Sequence, residues 1–491
     1  MFVYISILVI LIFYWWVRES FCYWKRRKIP HLEPSFPLGN LGDLKRKPVF
    51  LILTEVYHKL RNTGARFVGA YFFLQPVVMI VDLDLAKDIM VKDFQHFHDR
   101  GFYGNEKVDP LLAHLLVLEG ERWKHVRSKL TPAFTSGKMK LMFLTMISVG
   151  RRLENQMLIE ANRDKDVDMK DLLARFTTDV IGSCAFGLEC NSLQEPNDLF
   201  REMGRKALEP SLSRSLKRTF TNSCRGLAHF LRIKMEDKEV DRFFMKTVRE
   251  TIDHRKKNGI HRDDFLDILI NMEDDGSNLG GWKFHEIVSQ CFAFFIAGFE
   301  TSSSVMTLCL YELVKNQEIQ QKVRQSINQV LAAHGSMTYE AVHEMKYLEN
   351  CINETMRRYP PVPLAGRIVT KDYQIPDTNV TLKKGTQVFH SIYTIHNDPH
   401  YFPEPEKFDP DRFESESRAS WHPLQFIPFG AGPRNCIAFR FGMMQTRVAL
   451  ACLLKDFRFT TSEQTPRSVR FDPKHRLMGF IGKMRLNVEK I

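Results

Sequence analysis

Pro428-Phe429-Gly430-Ala431-Gly432-Pro433-Arg434-Asn435-Cys436-Ile437-Ala438-Phe439-Arg440-Phe441-Gly442 sets one cysteine between a glycine-rich, proline-stiffened loop and an apolar helical pattern through Met444, Val448 and Leu453. Glycine lets backbone pass close to a sulfur and aim N–H groups at it. The start of a helix adds partial positive charge, which favours thiolate over thiol. A lone thiolate held this way suits a metal whose other ligands are not protein. Two competing readings fit less well. A cysteine ahead of a helix is often a small core residue. A dinucleotide-phosphate turn is spoiled by Pro433 and Asn435, and Pro428 is ill-suited to the strand that would feed such a turn.

Composition bounds the answer. At 491 residues with 44% hydrophobic content, the chain can bury a large core, and no internal repeat or low-complexity linker divides it. Its nine cysteines are scattered without a C-x-x-C pair, which argues against a zinc site or a disulfide framework and for a reducing compartment. The formal charge of +12 does not cluster as in a nucleic-acid module, and no such motif is present, so no nucleic-acid partner is expected.

Met1 to Val17 carry no charged side chain, and after Arg18 and Glu19 the aromatics Phe21, Tyr23 and Trp24 lead into Lys25-Arg26-Arg27-Lys28. The stretch is about 20 residues, as a membrane span needs, and it lacks the basic start and small-residue cleavage site of a secretory signal. Basic residues after the apolar run predict a lumenal N-terminus and a cytosolic domain. The organisation expected is a signal-anchor helix over 1–24, a basic and proline-rich hinge over 25–40 (Pro30, Pro34, Pro37), and one domain over 41–491. In this orientation neither glycosylation sequon, Asn353-Glu354-Thr355 or Asn379-Val380-Thr381, should carry sugar.

Three further patterns stand out. From Phe284 to about Leu313 no proline intervenes, and Ala297-Gly298-Phe299-Glu300-Thr301-Ser302 interrupts an apolar run. Gly298 weakens a helix by roughly 1 kcal/mol relative to alanine, so a hydroxyl and a carboxylate just after it mark a place where a groove could open. A structural alternative is Thr301 bonding back to the preceding turn. Glu354 and Arg357 share a helical face in an apolar segment that Tyr359-Pro360-Pro361 ends. Trp123 and Arg127 are spaced i,i+4 and can turn toward one ligand.

Together these stretches resemble the cytochrome P-450 family, whose haem loop reads Phe-x-x-Gly-x-Arg-x-Cys-x-Gly. Here Phe429, Gly432, Arg434 and Cys436 match, and Ala438 replaces the final glycine. The resemblance implies a mainly α fold with small β-sheets in the N-terminal third and at the C-terminus, a mobile lid near residues 200–235, and haem b ligated by Cys436. It makes Ala297, Gly298, Glu300 and Thr301 the oxygen-activating turn, with Glu300 and Thr301 as the catalytic pair that feeds protons. It makes Trp123, Arg127, Arg434, Arg367 and Arg100 the grip on the haem propionates. It joins Glu354, Arg357 and Arg412 in a buried triad with bidentate arginine–carboxylate geometry that steadies the cysteine loop.

The function so implied is oxidation of lipophilic small molecules, with NADPH used indirectly through cytochrome P-450 reductase and cytochrome b5 as a further partner. Phe97-His98-Asp99-Arg100-Gly101 and the run from Cys436 to Arg447 are most similar to the insect microsomal detoxifying branch, which implies xenobiotic substrates and the endoplasmic reticulum membrane. Arg122, Lys124 and Lys129 are the candidate reductase dock. The loop-like stretch Gly101 to Val117, apolar from Leu111 on, with Phe292, Phe295, Phe299 and Val362 to Ala365 are candidate cavity walls, although core packing explains each phenylalanine equally well. Gly226 to Ile233 is a candidate membrane-dipping segment. Two other functions share the loop: a haem-thiolate binder or gas sensor without turnover, and a peroxide-rearranging enzyme that needs no reductase. The Gly298-x-Glu300-Thr301 turn favours oxidation over a simple binder, which needs no proton relay.

Overall fold

The anchor pattern forms a helix with nothing packed around most of it. In a computed structural model of the chain, which describes residues 2–164, 166–188, 190–209, 211–262, 264–271, 282–475 and 477–491, Phe2–Phe21 is one 20-residue helix with largely exposed apolar side chains. Met1 lies outside the described residues. A helix of this length and composition can cross the hydrocarbon layer. Trp24, the last residue of the expected span, is instead buried in the body of the protein. Its indole N–H donates to the Ala70 carbonyl at 3.0 Å, and a Cβ at Gly69 would sit 2.5 Å from its ring.

Helices dominate the rest of the described residues, and the sheets are small. The main sheet is not local to the N-terminal third. Phe67–Phe72 and Gln75–Ile80 form an antiparallel hairpin. Gln387–Ser391 then adds parallel to the second strand, and Leu364–Ile368 adds antiparallel to that one. A parallel neighbour requires a crossover, and here the crossover is most of the helical body. Near the C-terminus a second sheet takes the order Asp166–Asp168, Arg485–Lys490, Phe457–Thr461.

The long helix spans Phe284–Lys315 and runs through the core, packing on Met169–Ile181 and on the helix Phe439–Asp456 that follows the cysteine loop. Phe292, Phe295 and Phe299 do not line an open cavity. All three are buried, and the first two join Phe186, Phe200 and Phe244 in an aromatic cluster, with the Phe295 and Phe299 rings stacked 5.7 Å apart. Their size is used for packing. Val362 is by contrast 43% exposed.

The expected lid is three short helices, Leu199–Leu208, Leu212–Ser223 and Arg225–Phe230. It is latched to the loop that precedes the Trp123 helix. Tyr103 accepts no such role from sequence, yet its N–H donates to Asn222 Oδ1 at 2.8 Å and its hydroxyl to the Ile233 carbonyl at 2.9 Å. Buried Asp109 accepts from the Met235 N–H, and Arg225 pairs with Glu119 at 2.7 Å. On its outer side Leu227, Phe230 and Leu231 are exposed.

The two sequons differ in what they can report. Asn353 is buried inside a helix once the chain has folded, whereas Asn379 sits exposed in a turn and stays open to modification after folding as well. Expression in eukaryotic microsomes should leave Asn379 bare by mass spectrometry. Sugar there would reverse the expected orientation.

Candidate functional site

The cysteine loop is built from the backbone outward. Gly430 and Gly432 have φ of 75° and 68°, a region that side chains disfavour. A Cβ at Gly432 would also fall 2.0 Å from the Met90 carbonyl oxygen, so the loop closes only with glycine there. The Cys436 N–H donates to the Phe429 carbonyl at 2.8 Å, and the Asn435 N–H to Gly432 at 3.0 Å. Cys436 lies three residues before the helix Phe439–Asp456 rather than in its first turn. Its side chain keeps some accessible surface although protein surrounds it. Burial pushes the Cys436 thiol up from its ordinary value, against the Ala438 N–H and the charges of Arg100 and Arg127. Within the protein alone burial outweighs the favourable dipole, and a bound cation would reverse that order.

Four of the expected arginines converge on this loop. Arg127 Nη1 and Nη2 donate to the Asn435 carbonyl and Oδ1, both at 2.8 Å. Arg100 Nη2 donates to the Arg434 carbonyl at 2.7 Å. Arg434 is fully buried, 4.0 Å from the Trp123 ring centroid, and donates to the carbonyls of His98 at 2.7 Å and Leu118 at 2.8 Å. Its carboxylate neighbour is Asp99 at 3.3 Å. Arg367 is buried with its Nε lacking a hydrogen-bond partner. Burial and mutual repulsion hold Arg100, Arg367 and Arg434 well below the ordinary guanidinium range. Asp99, with Glu119 farther off, does not balance four guanidiniums. The set fits a ligand that brings two carboxylates of its own, as haem does.

The long helix offers the opposite wall. Its middle is nearly all buried, but Ala293, Ala297 and Thr301, each four residues on from the last, keep accessible surface. Small side chains at i, i+4 and i+8 make a shallow strip that a flat ring can lie against. The helix is unbroken here, so the expected groove is not an opened backbone. Thr301 Oγ1 donates to the Ala297 carbonyl at 2.5 Å, the local bond that a threonine makes in a buried helix. Gly298 faces Ile181, whose Cδ1 would lie 2.5 Å from an added Cβ. Glu300 points elsewhere: its Oε1 lies 3.7 Å from His475 Nε2.

Glu354 and Arg357 form the buried pair, both fully enclosed. Arg357 Nε and Nη2 donate to the two carboxylate oxygens at 2.7 and 2.9 Å, and Nη1 reaches the His396 carbonyl at 2.8 Å. Burial pushes the Glu354 carboxyl up despite Arg357, the Asp409 N–H and Arg412. The bidentate geometry belongs to Arg357. Arg412 does not share it: its Nε is 3.6 Å from Glu354 Oε1, and its Nη2 donates to the Glu404 carbonyl at 3.0 Å. Its backbone sits in a tight turn, which keeps the guanidinium at the rim of the pair.

Gln445 was not singled out from sequence. Its Nε2 donates to the Gly298 carbonyl at 3.2 Å and to Ser302 Oγ at 2.5 Å, tying the helix after the cysteine loop to the middle of the long helix. Glutamine in an apolar helix was the available signal. Arg122, read as a docking cation, is spent on Glu106 at 2.7 Å and Glu286 at 2.6 Å. Lys124 remains largely exposed. A cavity of about 350 Å³ lies under the lid between Phe102, Leu112, Val117 and His229, apart from Cys436 and Thr301.

Comparison with known proteins agrees with this geometry. The family described as Cytochrome P450 matches residues 30–481. The chain is 43% identical to the Drosophila melanogaster protein named "Probable cytochrome P450 6a14", over 96% of each chain. It is 41% identical to cytochrome P450 6A1 of Musca domestica, over 97% of this chain and 95% of that one.

Removing one partner of the Glu354–Arg357 pair strands a buried charge, which costs on the order of 3–5 kcal/mol. Glu354→Ala and Arg357→Ala should therefore yield protein that unfolds at lower urea and carries no haem absorbance. Holo-protein with an unchanged Soret band would contradict the role of the pair.

Proposed function

Because the chain belongs to the cytochrome P450 family, and is accordingly a haem-binding monooxygenase, we propose that it inserts one atom of dioxygen into lipophilic small molecules, chiefly xenobiotics such as plant toxins or insecticides, with NADPH electrons delivered by cytochrome P450 reductase. One observation carries this reading. A partly accessible cysteine sits in a loop crowded by Arg100, Arg127, Arg367 and Arg434, while a strip of small residues ends in Thr301 on the long helix. Insect relatives along nearly the whole chain support the detoxifying role.

Bound here, haem would supply the one-electron and dioxygen chemistry that side chains lack. Cys436 Sγ would be its protein ligand, steadied by the Ala438 N–H. The four arginines would neutralise the propionates, and Trp123, pressed on Arg434, would fix the ring edge. Ala293 and Ala297 leave room for the ring's flat face. Thr301 Oγ1 is one rotation from releasing the Ala297 carbonyl and presenting its hydroxyl to the reaction space. Glu300 is the carboxylate next to it that can pass protons inward from solvent. The alanine at 438 adds one methyl beside the ligand and preserves the N–H that the sulfur uses.

The exposed anchor helix and the apolar lid residues Leu227, Phe230 and Leu231 support attachment to the endoplasmic reticulum with the domain in the cytosol, and uptake of substrate from lipid. Lys124 is the exposed candidate for the reductase dock, the Lys129 ammonium being enclosed, with cytochrome b5 as an alternative donor.

Purified protein reconstituted with reductase and lipid should consume oxygen and release hydroxylated product from a panel of lipophilic compounds only when NADPH and reductase are both present. Binding of the panel without product would support the binder reading, and reductase-independent use of hydroperoxides the rearranging one. Thr301→Ala should lower product formed per NADPH by about tenfold and raise hydrogen peroxide release. Tight coupling in that variant would remove Thr301 from proton delivery.

A further inference from the structure

Glu300 has a partner that no motif announces. The chain segment after the helix Phe439–Asp456 folds back as a hairpin: the Asp472 N–H donates to the Gly479 carbonyl at 2.9 Å and the Ile481 N–H to the Arg470 carbonyl at 2.8 Å. At its turn His475 reaches the long helix, Nε2 lying 3.7 Å from Glu300 Oε1 with side chains only 11% and 15% exposed. The ring is held on both sides. Its Nδ1 accepts the Leu477 N–H at 3.4 Å, which leaves the proton on Nε2, facing the carboxylate. A Cβ at Gly479 would strike the ring at 2.3 Å, so glycine there makes the space for it. Lys170, on the helix Met169–Ile181, clamps the hairpin through the Phe480 carbonyl at 2.9 Å.

We propose that His475 is a positioning residue for the oxygen turn: its Nε2–H orients the Glu300 carboxylate and links it to solvent at the hairpin, on a flank about 100° round the helix from Thr301. The inference rests on the monooxygenase reading above and deepens it.

The charged groups facing the ring are Glu300 from the long helix, Lys170 from its neighbour and Asp472 from the hairpin itself. Burial, with Lys170, outweighs Glu300 and Asp472 and holds the His475 imidazole below its ordinary value of 6.5. The ring is therefore neutral at neutral pH. A neutral donor at 3.7 Å, just beyond hydrogen-bond distance, directs the carboxylate without locking it. An imidazolium would grip it in a charge-assisted pair and keep it from passing protons on. Glu300 then serves proton transfer only while His475 is uncharged.

The test uses full-length holoenzyme in lipid nanodiscs, as wild type, His475→Gln, His475→Leu and Glu300→Gln. Carbon-13 histidine labelling of the reduced, carbon-monoxide-bound protein follows the His475 titration, its signal identified by loss in His475→Gln. The midpoint should lie below 6.5 and fall further in Glu300→Gln, because a neighbouring negative charge raises it in the wild type. Coupling is read as product per NADPH on one turned-over probe, for example 7-ethoxycoumarin. His475→Leu should lose about threefold in coupling with KM unchanged, and His475→Gln, which keeps an N–H near the Nε2 position, should recover it. The acid-side fall in coupling should be present in the wild type and absent in His475→Gln. A His475 titration unmoved by Glu300→Gln, or Gln and Leu variants that behave alike, would overturn the proposal. A titration that shifts as expected in a protein that turns over no compound would instead count against the monooxygenase reading and leave the contact standing.

Discussion

Four guanidiniums brought together, Arg434 and Arg367 buried and Arg100 and Arg127 half-buried, with Asp99 and a more distant Glu119 as their carboxylates, are the constraint around which this molecule is arranged. Like charges in a low-dielectric interior repel strongly, and each must be tied down by carbonyls to stay. Arg434 takes the carbonyls of His98, Leu115 and Leu118, Arg100 that of Arg434, and Arg127 that of Asn435. Those bonds stitch the Phe97–Gly101 segment, the loop before Trp123 and the cysteine loop into one frame. The Arg367 strand brings in the main sheet, since Leu364–Ile368 pairs with Gln387–Ser391 and through it with Gln75–Ile80. A dianionic ligand is the component that turns this repulsion into cohesion.

Opposite that frame, order comes from helix packing. Gln445 bonds across to Gly298 and Ser302, Phe441 meets Phe294 with centroids 5.0 Å apart, and the aromatic cluster around Phe295 locks the long helix to its neighbours. The Glu354–Arg357 pair anchors the far side by reaching the His396 and Pro405 carbonyls. Its value is in placement, since desolvation offsets much of the attraction between buried charges. Two rigid walls result, one presenting sulfur and cations, the other alanines and a hydroxyl.

Much of this was legible in the chain because its signals are local. The glycines and prolines around Cys436 dictate a loop, the apolar run from Phe284 a buried helix, and the i,i+3 spacing of Glu354 and Arg357 a shared face. Reading failed where distant segments decide. Nothing near Gln387 announces that its strand pairs with a hairpin some three hundred residues earlier, or that Leu364–Ile368 then adds to it. Phenylalanine spacing on the long helix cannot distinguish a cavity wall from the cluster that Phe186, Phe200 and Phe244 complete. Trp24 has the composition of an interfacial residue, but Gly69 provides the slot that buries it. Arg412 carries the right charge at the right motif, while its turn keeps it at the rim. His475 sits in no helical or strand period, and only the hairpin brings it to Glu300.

The account stands on Cys436 as the donor atom in a site shaped for haem. The most direct measurement is the absorption spectrum of the purified, reduced protein under carbon monoxide, taken alongside Cys436→Ser. Thiolate ligation predicts a strongly red-shifted Soret band in the wild type and its disappearance in the variant. A wild-type band at the position typical of histidine-ligated haem, or a red-shifted band that survives in Cys436→Ser, would contradict it.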